Sequence, residues 1–262
     1  MSDIVDGSTT LTDEPDFARI VSVAHGTDLG CVRTENQDST WALTIGGHAV
    51  LVVADGMGGH SGGASASNAA TRVLETAFET HGLEYPQDMD DVFARVSESV
   101  AVSAPDGGTT LVVAVISEQR LDVWHVGDSR AYVLRDSALM PVTTDHSWVQ
   151  TLVDSGQLTR EQAAGHPRRN VLLRAIGKGR DSTPEHSTLR FLPGDVVLLC
   201  SDGLHGVVPE PEIGRILGLH DTPAALVSAL IQAAVDRGAP DNIGVAVAVG
   251  EPKSDDYSRA SD

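Results

Sequence analysis

The stretch Ala49-Val50-Leu51-Val52-Val53-Ala54-Asp55-Gly56 is an apolar run that stops on an acid and a glycine. Rich in β-branched residues, it reads as a short strand ending in a turn. The signature returns in Val123-Trp124-His125-Val126-Gly127-Asp128 and in Leu198-Leu199-Cys200-Ser201-Asp202-Gly203, and a fourth acid stands in Asp241-Asn242, just before the run Ile243 to Val249. Further strands are expected at Ile20 to Ala24, Thr110 to Ile116, Leu121 to Val126, Ala131 to Leu134 and Val196 to Cys200. Apolar residues at helical spacing predict two pairs of helices. The first pair is Ala64 to Thr80 with Met89 to Val102, and the second is Pro209 to Leu217 with Thr222 to Asp236. Strand follows strand without an alternating helix, so the sheets should be mainly antiparallel, with the helix pairs on their outer faces. The expected fold is α+β, a sandwich of two sheets between helix layers.

Composition agrees with a packed protein of this kind. Of 262 residues, 41% are hydrophobic and 21% charged, which excludes disorder of the whole chain. With aromatics at only 4%, the core must be built from Val, Leu, Ile and Ala. The net charge of −19, from 18 basic and 37 acidic residues, repels phosphate backbones and anionic lipid, so nucleic acid and membrane are not expected partners. No apolar stretch approaches the roughly 18 residues that span a bilayer. Cys31 and Cys200, far apart and with no secretory signal before them, read as reduced thiols of a cytoplasmic protein. Residues 1–16 carry five acids and no base and are expected to form a flexible tail, as are residues 251–262. Between them, residues 17–250 show no linker and no repeat and are expected to form a single domain.

A lone Asp-Gly is ordinary turn chemistry. Four acids at strand ends of one sandwich, joined by Arg33 and Asp38, are a different matter: several like charges at one rim need a cation to offset their repulsion. Adjacent glycines hold a carboxylate while leaving its oxygens open, which suits Mg²⁺ or Mn²⁺.

The residues that carry this chemistry resemble the metal-dependent type 2C protein Ser/Thr phosphatases in their compact bacterial form. The match rests on an ordered series from Val21 to Val249: Arg33-Thr34-Glu35-Asn36-Gln37-Asp38, Asp55-Gly56-Met57-Gly58-Gly59-His60, Gly108-Thr109-Thr110, Val126-Gly127-Asp128-Ser129-Arg130, Thr144-Asp145-His146-Ser147, Leu199-Cys200-Ser201-Asp202-Gly203-Leu204 and Asp241-Asn242-Ile243. The resemblance implies a four-layer α/β/β/α sandwich with a two-metal centre at one end. Asp55 would bridge both cations, the Gly56 carbonyl would serve one, and Asp202 and Asp241 the other. Asp38 would orient the attacking water and Arg33 would clamp the substrate phosphate, its planar fork bonding two oxygens at once. Asp128, with Asp202, would hold a weaker third cation, and Trp148 to Arg169 would form a flap in which Arg168-Arg169 meet an acidic or phosphorylated peptide. Two cations lower the pKa of a water and neutralise phosphoryl charge, so no nucleophilic side chain is needed.

Several positions depart from the family pattern. Met57 stands where many eukaryotic relatives have a histidine proposed to protonate the leaving group, which leaves His60 or His146 as candidate acids. Gln37 replaces the commoner glutamate, Gly244 a usual threonine, and Leu204-His205-Gly206 lacks the frequent acid. The implied activity is hydrolysis of phosphoserine and phosphothreonine in proteins, opposing protein kinases, by a monomer whose partners are phosphorylated proteins. A non-catalytic module of the same fold, binding metal or phosphoprotein, is the alternative, but it would be expected to lose Asp202 or Asp241. An aspartyl-phosphate enzyme would need Asp-x-Asp where residues 55–57 read Asp-Gly-Met.

Overall fold

The computed structural model describes residues 3–6, 21–45, 48–58, 62–81, 89–117, 119–177, 179–219 and 222–250. In chain order the elements are β1 (Asp3–Asp6), β2 (Val21–Asp28), β3 (Asp38–Ile45), β4 (His48–Met57), α1 (Gly62–His81), α2 (Met89–Ser103), β5 (Gly108–Thr109), β6 (Leu111–Ser117), β7 (Arg120–Val126), β8 (Arg130–Arg135) and β9 (Ala138–Pro141). There follow α3 (Trp148–Asp154), α4 (Arg160–Ala164), β10 (Glu185–Arg190), β11 (Val196–Cys200), α5 (Asp202–His205), α6 (Glu210–Leu217), α7 (Pro223–Val235) and β12 (Ile243–Gly250). One sheet runs β1-β2-β12-β11-β8-β9 and the other β10-β7-β6-β4-β3, with β5 pairing on β4. The pairings between these strands are antiparallel.

The alternation of strand side chains sorts three apolar layers. On β4, Ala49, Leu51 and Val53 point between the sheets, where they meet Val112 and Ala114 of β6, Val197 and Leu199 of β11, and Ala246 and Ala248 of β12. Val50, Val52 and Ala54 point the other way, onto Ala70, Leu74 and Phe78 of α1 and Val92, Phe93 and Val96 of α2. The outer face of the first sheet, with Leu198 and Val247, is covered by Ile213 and Leu217 of α6 and by Leu226, Leu230 and Ile231 of α7. Strands buried on both faces explain the near-continuous apolar runs. The four-layer α/β/β/α arrangement expected from the sequence is the one observed.

Helix ends follow ordinary capping chemistry. The Thr222 hydroxyl accepts from Ala225 N to start α7, and Thr159 and Gln162 form a capping box on α4. No helix among the described residues is long and apolar enough to cross a membrane. Cys31 is exposed and Cys200 buried, both as free thiols.

The flexible tail expected over residues 1–16 is corrected at four residues. Asp3–Asp6 pairs antiparallel on the edge of β2, from Asp3 opposite Thr27 to Asp6 opposite Ala24. A main-chain ladder on an open sheet edge needs no apolar side chains, so composition gave no sign of it. The rest of that tail, and residues 251–262, lie outside the described residues.

Leu51 is fully buried between the sheets. Leu51→Ala should lower the unfolding free energy by about 3 kcal/mol, read from urea denaturation; a loss below about 1 kcal/mol would show that this layer is not close-packed.

Candidate active site

Antiparallel pairing brings the acids to one end of the sandwich. Asp38 opens β3 directly opposite Asp55, near the end of β4. The same end holds the start of β6, beside both Val53 of β4 and Val126 of β7. From there Gly127-Asp128-Ser129 crosses to the other sheet, where Arg130 opens β8 opposite Cys200, the last residue of β11. Cys200 in turn faces Val245 near the start of β12, so Asp202 and Asp241 flank that pair of strand ends. Asp55 feels the charges of Asp38, Asp202, Asp128 and Asp241. The structure therefore brings together Asp38, Asp55, Asp128, Asp202 and Asp241.

Each acid is fixed by its surroundings. The amide of Asp55 donates to Thr110 Oγ1 (3.0 Å), while the Asp55 carbonyl accepts from Thr109 Oγ1 (2.9 Å) and Thr110 N (2.8 Å). Gly56 has no room for a side chain: a Cβ there would lie 2.1 Å from the Gly63 carbonyl oxygen. Asn242 holds the loop that carries Arg33 and Asp38. Its Nδ2 donates to the carbonyls of Leu29 (2.9 Å) and Glu35 (3.0 Å), and its Oδ1 accepts from Gln37 N (2.9 Å). Arg33 Nη2 donates to Asp241 Oδ2 at 2.7 Å, with half of the arginine side chain still facing solvent. His205, where the family pattern has an acid, ties down the Asp128 main chain through Nε2 and the Asp128 carbonyl, 3.0 Å apart.

Burial is the largest cause of the perturbed acidities, and mutual repulsion adds to it. Burial, with Asp202 and Asp241 adding repulsion, pushes the Asp38 carboxyl up to about 7, against a hydrogen bond from Ser201 that favours the ionised form. Asp202 is raised to about 6 by burial and the charge of Asp241. Asp55 and Asp128 are held well above the ordinary carboxylate range, by burial first and then by their acidic neighbours. Carboxylates gathered at one rim form a set of hard oxygen donors suited to divalent cations such as Mg²⁺ and Mn²⁺.

The flap expected at 148–169 begins on α3, capped by Ser147, and carries α4. Its two ends close on each other: Trp148 N donates to the Val171 carbonyl (2.8 Å) and Leu173 N to the His146 carbonyl (2.8 Å). Arg169 acts on Asp202 through its charge, whereas Arg168 packs 5.4 Å over the Trp148 ring. Of the candidate acids, His60 lies outside the described residues. His146 has both ring nitrogens committed, Nδ1 accepting from Gly127 N (3.1 Å) and Nε2 facing Glu185 Oε2 (3.2 Å). Donor atoms of His125, His146 and Glu185 lie within 4.8 Å of one another. A cation does not suit that cluster, because the Gly127 amide occupies the His146 Nδ1 lone pair and Arg174 Nη1 sits 3.1 Å from Nε2. It fastens the base of the flap instead.

Comparison with known proteins gives this rim its family. Residues 32–232 match the family model described as Protein phosphatase 2C. The chain belongs to the protein phosphatase 2C family. It is 35% identical over 231 residues to the Listeria monocytogenes serine/threonine phosphatase stp, covering 84% of this chain and 92% of that one. The fold superposes on serine/threonine phosphatase Stp1 from Staphylococcus aureus with a TM-score of 0.81 at 30% identity, over 92% of this chain and all of that one. It also superposes on the catalytic domain of PstP, solved in complex with 2 manganese ions, with a TM-score of 0.74 at 34% identity, over 87% and 97% of the two chains.

Within this 2C-type site, the supporting residues Asn242, His205 and Ser201 were not assigned roles from the sequence. Their signal was adjacency alone, each standing within three residues of an acid already singled out. A side chain that bonds the main chain of a loop some 200 positions away leaves no periodic trace.

The acidities set a pH dependence. Asp38, Asp55 and Asp128 have folded-state values above the ordinary 3.8, so each favours the fold while protonated, and that contribution is lost as pH rises through the folded value. Buried His25, His146 and His205, held down to about 4, act in the opposite sense, but only below about pH 6.5, where an unfolded histidine takes up its proton. In chelator, Tm should therefore fall as pH rises from about 6.5 through the Asp38 value of about 7, and Mn²⁺ should flatten the curve. A flat or rising Tm in chelator would contradict the repulsion.

Proposed function

We propose that this chain hydrolyses phosphoserine and phosphothreonine in proteins, opposing protein kinases, with two divalent cations, Mn²⁺ or Mg²⁺, held at the carboxylate rim. The observation that carries this reading is the convergence of Asp55, Asp202 and Asp241, a ligand set that a binding-only relative would be expected to have lost. Asp55 and the Gly56 carbonyl would hold one cation, and Asp55, Asp202 and Asp241 the other. Asp128 with Asp202 would take a third, weaker ion. Bound there, the cations lower the pKa of water and neutralise phosphoryl charge.

The side chains supply the rest. Asp38, set between Ser201 and Asp55, orients the attacking water. Arg33 is anchored at one nitrogen by Asp241 and keeps its remaining donors for two phosphate oxygens. One aspartate would thus serve both the cation and the clamp. Arg169, whose charge reaches Asp202, places the flap where an anionic phosphopeptide would lie. With Met57 unable to give up a proton and both His146 nitrogens committed, His60 and water are left as sources for the leaving group's proton. The free thiols of Cys31 and Cys200 fit a reducing compartment such as the cytoplasm.

Phosphate release from a phosphothreonine peptide should require Mn²⁺ or Mg²⁺ and stop in chelator, and Asp241→Asn should abolish turnover in a protein that still melts cooperatively. Full activity of the metal-stripped protein in excess EDTA would contradict the reading.

A charged hydrogen bond is worth about 1.5–3 kcal/mol. Arg33→Ala should accordingly lower kcat/KM on the same peptide roughly tenfold to a hundredfold; unchanged efficiency would return Arg33 to the role of a surface ion pair.

A further inference from the structure

Two residues of the first sheet close around Asp38 of the second. Ser201 is fully buried, between the end of β11 and α5. It stands at the N-cap of α5, where a serine ordinarily turns its hydroxyl onto the helix amides, yet it makes no side-chain capping bond. Its hydroxyl oxygen accepts instead from Gly244 N (2.8 Å), and its carbonyl partner on the same residue is Gly244 O, to which Ser201 N donates (3.0 Å). A hydroxyl has one proton. With the Gly244 amide already donating to Oγ, that proton is directed to Asp38 Oδ2, 2.6 Å away.

Gly244 bounds the same carboxyl from another side. A Cβ at this position would lie 3.1 Å from Asp38 Oδ2, 3.4 Å from Asp38 Cβ and 3.3 Å from Thr40 Cγ2. Nor is its backbone left-handed, since Gly244 is not among the residues of positive φ. A glycine inside a strand loses stability to backbone entropy and packs nothing. Here its bare Cα supplies the space in which the Asp38 carboxyl sits, and its amide sets the direction of the Ser201 hydroxyl.

We propose that Ser201 is a positioning residue for Asp38, and that Gly244 keeps the room and the hydrogen-bond direction on which this positioning depends. The inference rests on the phosphatase reading for its kinetic consequence but not for its geometry. The Ser201 hydroxyl holds Asp38 Oδ2 at 2.6 Å, and the bare Gly244 Cα leaves that oxygen its room. The acid of one sheet is thereby aimed by the strand ends of the other.

The test uses the full chain with Mn²⁺ and a phosphothreonine peptide. Ser201→Ala should lower kcat roughly tenfold or more, with KM within twofold of wild type and the Mn²⁺-induced rise in Tm retained, because Ser201 aims an acid and holds no cation. Ser201→Thr, which keeps the hydroxyl, should recover most of kcat. Gly244→Ala, whose Cβ crowds the same Asp38 Oδ2, should repeat the kcat loss, and it carries the test if the threonine variant fails to fold. Unchanged kcat in both Ser201→Ala and Gly244→Ala, or a loss confined to KM, would overturn the proposal. Should wild type release no phosphate at all, the phosphatase reading fails, and the crystal structure of Ser201→Ala decides the positioning claim: a displaced Asp38 carboxyl upholds it, an unmoved one overturns it.

Discussion

Mutual repulsion among Asp38, Asp55, Asp128, Asp202 and Asp241 is the constraint on which the rest of this end of the molecule depends. Asp38 and Asp128 are buried and the other three partly so at the rim of two sheets, and burial, with neighbouring charge, raises the pKa of Asp38, Asp55, Asp128 and Asp202 above the usual carboxylate value. Such a cluster persists only if the fold holds it in place and something positive offsets it. The first requirement is met by close-packed strands whose ends are stitched by Thr109, Thr110, Ser201 and Asn242. The second is met in part by Arg33 on Asp241 and by Arg169 near Asp202. Divalent cations held by these acids would complete it.

The supports are layered outward from the acids. Arg130 bonds Asp145 through two nitrogens, each at 2.8 Å, His125 Nε2 meets the Thr144 carbonyl at 2.8 Å, and Gly127 exchanges bonds with His146. Three successive residues before the flap are thus tied to the β7–β8 turn that presents Asp128. Burial first, with the Arg174 charge adding to it, lowers the pKa of His125 and of His146, so this fastening works through directed hydrogen bonds of rings that burial holds toward the neutral form.

Much of this was legible in the sequence, for identifiable reasons. Strands buried on both faces are spelled as apolar runs, so β4, β6, β7, β11 and β12 stood out, and α1, α2, α6 and α7 carried helical periodicity into the structure. Edge strands did not. The polar run of β10, Glu-His-Ser-Thr-Leu-Arg, gains its place from a ladder on β7, and β3 begins on Asp38 and mixes Ser and Thr with Trp41. Candidate residues Arg33, Asp38, Asp55, Gly56, Asp128, Asp202 and Asp241 converge because antiparallel pairing returns each strand end to the same rim. Their direct bonds were not legible. That Arg33 rests on Asp241, or that Ser201 forgoes its helix for Asp38, depends on side chains separated by more than 160 positions.

The central claim is that this rim is built around cations, with Asp55 in the middle. Calorimetric titration of Mn²⁺ into the metal-stripped chain addresses it most directly, alongside Asp55→Asn, which is nearly isosteric. At least two ions should bind per wild-type chain, and Asp55→Asn should lose the tight sites while remaining folded. A wild-type chain that binds no Mn²⁺, or an Asp55→Asn chain that binds it with the same stoichiometry and affinity, would contradict the account.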